Sequence, residues 1–181
     1  PTRSSPEMLR RASISSALPA GGVGSLPRKR GEARTEESGT VVGTASEVLA
    51  SGLEAVQNCA ALIAAPDARG FIFGVPMALR RQVPFVPIRK PGKLPYQTTS
   101  FDYELEYGQD TLEIHADATE TGQRVLLVDD LLATGGTIAA CGELIKQQNA
   151  VVVGYSFLIE LAFLNGRQKL GETAVHYLLQ Y

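Results

Sequence analysis

The chain has 181 residues, 44% of them hydrophobic and 20% charged, with a formal net charge of −2. That is enough to bury one substantial core, and the charge balance excludes a wholly basic nucleic-acid binder. Cys59 and Cys141, the two cysteines, are too far apart for a zinc ribbon or a disulfide scaffold, and charged residues break every apolar run before the roughly 18 residues a membrane helix needs. A soluble protein of a reducing compartment is expected.

Residues 1–40 carry Arg3, Arg10, Arg11, Arg28, Lys29, Arg30 and Arg34 against Glu7, Glu32, Glu36 and Glu37, so this segment is +3 and the remainder −5. Without Phe or Tyr it has little to offset the entropy of ordering, and it reads as a largely unstructured N-terminal arm before a domain over 41–181. Its Arg- and Ser-rich composition also suits an organelle transit peptide, the alternative to a cytoplasmic location. Apolar Leu49, Leu53 and Val56 then fall at helical spacing. Residues 60–65, all Ala, Leu or Ile, fit strand or helix by periodicity alone, and their turn-like end at Pro66-Asp67 favours a buried strand. A helix is expected over 75–81, followed by an extended segment over 85–88 whose proline places it at a sheet edge. Residues 89–108 are polar and weakly periodic, which predicts a long mobile lid loop. The clearest unit follows: a strand over 124–130, a glycine turn and a helix to Gln148 with Ile138, Cys141 and Ile145 on one face. Another buried strand over 150–159 stands at crossover spacing. Alternating strands and helices predict an α/β fold with an open parallel sheet flanked by helices.

The segment Ala133-Thr134-Gly135-Gly136-Thr137 follows a strand and opens a helix, where backbone N–H groups are unpaired and the helix dipole favours an anion. The glycines let the backbone close around a phosphate, and Thr134 and Thr137 add hydroxyl donors. Asp129 and Asp130 stand just before it, at the C-terminal strand edge where open α/β sheets bind ligands. Adjacent carboxylates repel unless they face cations or accept hydrogen bonds from a polyol such as ribose. A receiver domain needs a further Asp on a later strand, and none follows Asp130. Gly-x4-Gly-Lys-Ser/Thr is absent, and Gly22-Val23-Gly24 lacks the rest of a dinucleotide fingerprint. His115 and His176 fit no metal-ligand pattern, so no metal cage of protein ligands is expected. Arg69 and the cluster Arg89, Lys90 and Lys93 follow strands, and together these cations suffice for a diphosphate.

The run Val125-Leu126-Leu127-Val128-Asp129-Asp130-Leu131-Leu132-Ala133-Thr134-Gly135-Gly136-Thr137 resembles the phosphoribosyl-diphosphate signature of type I phosphoribosyltransferases. With 68–74, 88–95 and Leu105-Glu106-Tyr107-Gly108, the chain from about Leu62 to Tyr181 is similar to the adenine phosphoribosyltransferases among them. The resemblance implies a purine-salvage reaction in which adenine and phosphoribosyl diphosphate give AMP and diphosphate, with Mg²⁺, in a cytoplasmic homodimer. It assigns the ribose hydroxyls and the metal-bound substrate to Asp129 and Asp130, with Mg²⁺ reached through substrate and water. The 5′-phosphate falls to 133–137, and the diphosphate to Arg69, Arg89, Lys90 and Lys93, part of that basic set coming from a neighbouring subunit. Glu106 matches the catalytic carboxylate; alternation over 103–107 puts Glu104 and Glu106 on one face, and only the resemblance selects Glu106. Leu161 matches the position that packs on adenine. The family's N-terminal Phe-Arg-Asp-like run, part of a hood over the base, has no counterpart in residues 1–60, so the hood is small and atypical. Ala65, followed by Pro66, stands where the diphosphate loop usually has Gly, before a strained peptide expected between Asp67 and Ala68. The other readings are a phosphoribosyl-diphosphate-sensing regulator without catalysis, using the basic arm on nucleic acid, and a transferase for a different base.

Overall fold

The computed structural model describes residues 60–105 and 108–181. The arm over 1–40, the helix expected around Leu49 to Val56, and Glu106 lie outside the described residues.

Five strands form one all-parallel sheet in the order β2-β1-β5-β6-β7. They are β1 (Leu62–Pro66), β2 (Phe85–Ile88), β5 (Arg124–Leu132), β6 (Val151–Glu160) and β7 (Val175–Gln180). β3 (Thr98–Leu105) and β4 (Gly108–His115) make a separate antiparallel pair, and the α-helices among the described residues are α1 (Arg69–Arg81) and α2 (Gly136–Gln147). The central strands read as unbroken apolar runs because a parallel sheet is covered on both faces. Along β5 the side chains alternate. Val125 and Leu127 join a core with Ile138, Cys141, Leu144 and Ile145 of α2, while Leu126 and Val128 join Ile63 with Met77 and Ala78 of α1. α1 and α2 therefore cover opposite faces, as right-handed crossovers demand when the chain steps from β1 one way to β2 and from β5 the other way to β6. The strand order reverses between β1 and β5, and the crevice at their C-terminal ends is where such a sheet takes a ligand.

β2 is the edge strand on its side, consistent with Pro87, which has no N–H to give a further neighbour. α1 begins at Arg69, six residues before the expected start at 75. Gly70, Gly74 and Pro76 argue against a helix by propensity, yet packing requires the glycines. A Cβ at Gly74 would lie 2.8 Å from the Phe85 ring, and one at Gly70 would lie 2.9 Å from the Val128 carbonyl oxygen.

The expectation of a long loop over 89–108 is corrected by the β3–β4 hairpin, paired from Thr98↔His115 to Leu105↔Gly108. Phe101 and Tyr103 pack against the α2-side core and Leu112 and Ile114 are fully buried in it, so this segment earns its order by period-two burial. Its charged alternate positions face outward and mask that period in the sequence. Arg89 and Glu113 exchange backbone hydrogen bonds of 2.9 and 2.7 Å, fastening β4 to the end of β2. β4 and β7 were not among the elements expected from the sequence.

Leu144 is fully buried between α2 and the sheet. Leu144→Ala should cost about 2–5 kcal/mol, measured as a lower urea midpoint with an unchanged m-value.

Candidate active site

A cavity of about 310 Å³ opens at the reversal of strand order. Three segments build its walls: Pro66 to Arg69 at the end of β1, Asp129 and Leu131 within the end of β5 with Ala133 to Ile138 after it, and Lys90, Tyr103 and Asp110 from the β2 end and the hairpin.

The turn from β5 into α2 is made by Gly135, whose φ of +77° is open to glycine and strained for other residues. Among the described residues no side chain caps α2, so its first amides suit an incoming acceptor. Ala133, Thr134, Gly135, Gly136 and Thr137 all line the cavity, and the Thr137 hydroxyl lies 3.4 Å from the Tyr103 hydroxyl across it. A helix N-terminus with two hydroxyls and adjacent glycines suits a phosphomonoester.

The two carboxylates point to opposite faces of β5, as period two dictates. Asp129 follows Leu127 toward the α2 side and lines the cavity; Asp130 follows Val128 toward α1, where the Arg69 Nε donates to it. Burial pushes the Asp129 carboxyl up to about 7, with the neighbouring Asp130 charge adding to the rise. The Asp130 backbone N–H, 2.9 Å from Asp129 Oδ1, and the Arg69 charge oppose it. Arg69 is itself raised, chiefly by its hydrogen bond to Asp130.

The four expected cations divide into two pairs. Arg69 and Lys90 are on the cavity wall, Arg69 bonded to Asp130 and Lys90 to Asp110 with its ammonium 5.9 Å from the Tyr103 ring centroid. Arg89 and Lys93 do not line the cavity; both donate to Asp67, at 3.3 and 3.1 Å, whose side chain is only 7% exposed. The Asp67–Ala68 peptide is cis. Leu161 follows β6, gives its N–H to the Leu132 carbonyl at 2.9 Å and is not on the cavity wall. Glu104 is exposed on β3, opposite Gln109.

Asp67, Tyr103 and Asp110 are site residues that the sequence reading missed. Asp67 had the same signal as Asp129, a carboxylate at the C-terminal end of a buried apolar run. Tyr103 and Asp110 are cross-strand partners, joined by a 3.2 Å hydrogen bond, and that pairing is invisible while the segment is read as a loop.

A carboxyl whose folded value lies near 7 and whose ordinary value is 3.8 keeps its proton in the folded state while the unfolded state loses it. The ligand-free protein should therefore lose stability as pH rises from about 4 to about 7, and level off above that. Asp129→Asn should flatten this slope and raise the melting temperature at pH 8, measured by thermal denaturation across pH.

A family model described as a phosphoribosyl transferase domain matches residues 44–171. Adenine phosphoribosyltransferase of Rhodopirellula baltica is 58% identical over 120 residues, 66% of this chain and 58% of that protein. The enzyme of the same name from Caldanaerobacter subterraneus is 59% identical over 124 residues, 68% of this chain and 70% of that one. The crystal structure of adenine phosphoribosyltransferase from Thermoanaerobacter pseudethanolicus superposes with a TM-score of 0.74 at 49% identity, covering 78% of this chain and 83% of that chain. By the family match and these identities, the chain belongs to the adenine phosphoribosyltransferase family of phosphoribosyl transferase domains.

Proposed function

We propose that this chain transfers the 5-phosphoribosyl group from phosphoribosyl diphosphate to adenine, giving AMP and diphosphate in purine salvage. The observation that carries this reading is the convergence, on one cavity, of the 133–137 turn, the Asp129 carboxylate and the Arg69 and Lys90 cations. A phosphomonoester, a polyol and a diphosphate are the three chemical parts of that donor.

In the reaction, the adenine ring nitrogen forms a bond to the anomeric carbon as the bond from that carbon to the diphosphate oxygen breaks, its electron pair leaving with the diphosphate. The sugar passes through an oxocarbenium-like state. The turn holds the 5′-phosphate, Asp129 and Asp130 orient the ribose hydroxyls, and Arg69 and Lys90 take charge from the leaving diphosphate. Arg89 and Lys93 hold the 67–69 segment through Asp67. Glu106, on its resemblance to the family's catalytic carboxylate, takes the proton from the base. Leu161 is the position assigned to packing on the adenine ring.

Asp129 and Asp130 offer hard oxygen donors that fit Mg²⁺, and no group of three or more His, Cys, Asp or Glu that could hold a metal occurs among the described residues. On the resemblance, the cation would arrive with the diphosphate, whose charge it would neutralise. The same reading places the protein in the cytoplasm as a homodimer. Cys141 is a free buried thiol, and α1 exposes Ile72 (66%), Val75 and Leu79 (74%) at helical spacing, an apolar stripe that a second copy would cover.

The test is mass-resolved product formation from phosphoribosyl diphosphate and Mg²⁺ with adenine, hypoxanthine, guanine or orotate in parallel. AMP from adenine is the expected product, and Glu106→Ala should lower kcat by about 10²–10⁴-fold. Product from another base alone would reassign the acceptor, and ligand binding with no product from any base would overturn the enzyme reading. Light scattering should give twice the chain mass, and Leu79→Lys should shift it toward the monomer.

A further inference from the structure

Behind the phosphate turn the chain crosses itself at two glycines. Gly166 is buried at the start of a 3-10 turn (Gly166–Leu170), and a Cβ placed on it would lie 2.1 Å from the Ala133 carbonyl oxygen and 2.9 Å from the Gly135 nitrogen. In the other direction, a Cβ on Gly135 would lie 2.4 Å from the Gly166 carbonyl oxygen and 3.1 Å from its carbon. Every one of these neighbours is backbone, so no flexible side-chain end can yield. The 133–135 backbone and the 166 backbone fit together only because both crossing residues lack a side chain.

The segment that presents Gly166 is fixed on either side. Before it, the Leu161 N–H bonds to the Leu132 carbonyl at 2.9 Å and the Ala162 N–H to the Tyr181 carbonyl at 2.8 Å. After it, Arg167 donates from Nε and from an Nη to the two oxygens of Glu160, each at 3.1 Å, and its guanidinium lies 5.3 Å from the Tyr177 ring centroid. Glu160 is 4% exposed and also accepts from Gln180 Nε2 at 3.2 Å. A two-pronged arginine–carboxylate pair fixes orientation as well as distance. Leu170, buried in the main core, anchors the far end of the turn.

We propose that Gly166, held by the Glu160–Arg167 pair, is a positioning residue for the phosphate turn: the backbone of the segment after β6 sets where residues 133–135 lie. It thereby governs affinity for a sugar 5′-phosphate that it does not touch. This rests on reading 133–137 as the 5′-phosphate turn.

The experiment compares wild type, Gly166→Ala and Arg167→Lys, titrated separately with ribose 5-phosphate and with inorganic diphosphate by calorimetry, alongside AMP formation and thermal melting. Gly166→Ala should weaken ribose 5-phosphate by about 10- to 100-fold, the scale of a displacement near 1 Å, and raise KM for phosphoribosyl diphosphate. Diphosphate affinity should stay within about twofold, since Arg69 and Lys90 stand on another wall. Arg167→Lys keeps the charge and loses the fork, so it should shift ribose 5-phosphate affinity the same way by a smaller factor; this variant decides the matter if Gly166→Ala does not fold. Unchanged ribose 5-phosphate affinity in the folded variants, or equal loss for both ligands, overturns the proposal. Wild type that binds ribose 5-phosphate yet makes no AMP would overturn the enzyme reading while the binding comparison still decides the role of Gly166. Wild type that does not bind ribose 5-phosphate overturns the phosphate turn and this proposal with it.

Discussion

The parallel pairing of β1 with β5 is the constraint on which the rest of the structure depends. Leu62 to Ala64 align with Val125 to Leu127, so the two strands run side by side in one direction and lead their chains into the same crevice. From there the right-handed crossover rule sends α1 to one face and α2 to the other. The two helix starts then flank a single gap, with Arg69 opening one and the 133–137 turn opening the other. Charge complementarity did not have to be built by folding a loop across the surface. It follows from which residues stand immediately after two adjacent strands.

Within that crevice the ion pairs are not equivalent. Arg69 is 71% exposed at its side chain, and an exposed pair is weakened by solvent screening, so its bond to Asp130 can be exchanged for one to an anionic ligand at little cost. Asp67 is buried, and a buried carboxylate stripped of its cations would be strongly unfavourable. Arg89 and Lys93 are thus committed to the 67–69 segment, while Arg69 and Lys90 can change partners. Asp129 completes the balance. Its burial favours the neutral acid in the ligand-free protein, and the Arg69 charge works against that rise.

The sequence disclosed the unit from 124 to 148 because apolar run, acidic pair, glycine turn and helical face all occur in one contiguous stretch. It disclosed less where order depends on residues far apart. Gly70, Gly74 and Pro76 weaken the local helical signal, and α1 starts at Arg69 because its glycines allow contact with Val128 and Phe85. β3 and β4 stabilise each other across their pairing and against α2, whereas each alone is a polar stretch with scattered β-formers. The site follows the same division. Asp129 and the 133–137 turn were legible, while Tyr103 and Asp110 were not, since their meeting depends on hairpin register. The four cations were recognised as a set, but only the position of Asp67 separates the two on the cavity wall from the two behind it.

Glycines fix distances that charged residues only exploit. Gly70 lets α1 approach until its Cα would place a Cβ 3.1 Å from Pro66 and 2.9 Å from the Val128 oxygen, and this approach is what sets Arg69 against Asp130. On the opposite wall, Gly135 and Gly166 allow two backbones to touch with nothing between them. A side chain at Gly70 would hold α1 away from β5, and one at Gly135 or Gly166 would displace the turn from the segment behind it, so a polyanionic ligand would meet the two walls at the wrong separation. Replacing a cation removes one partner, whereas adding a methyl group at a crossing moves a whole wall. For that reason the precision of this site resides in backbone contacts between elements distant in sequence, and the motif residues are effective only at the separation those contacts impose.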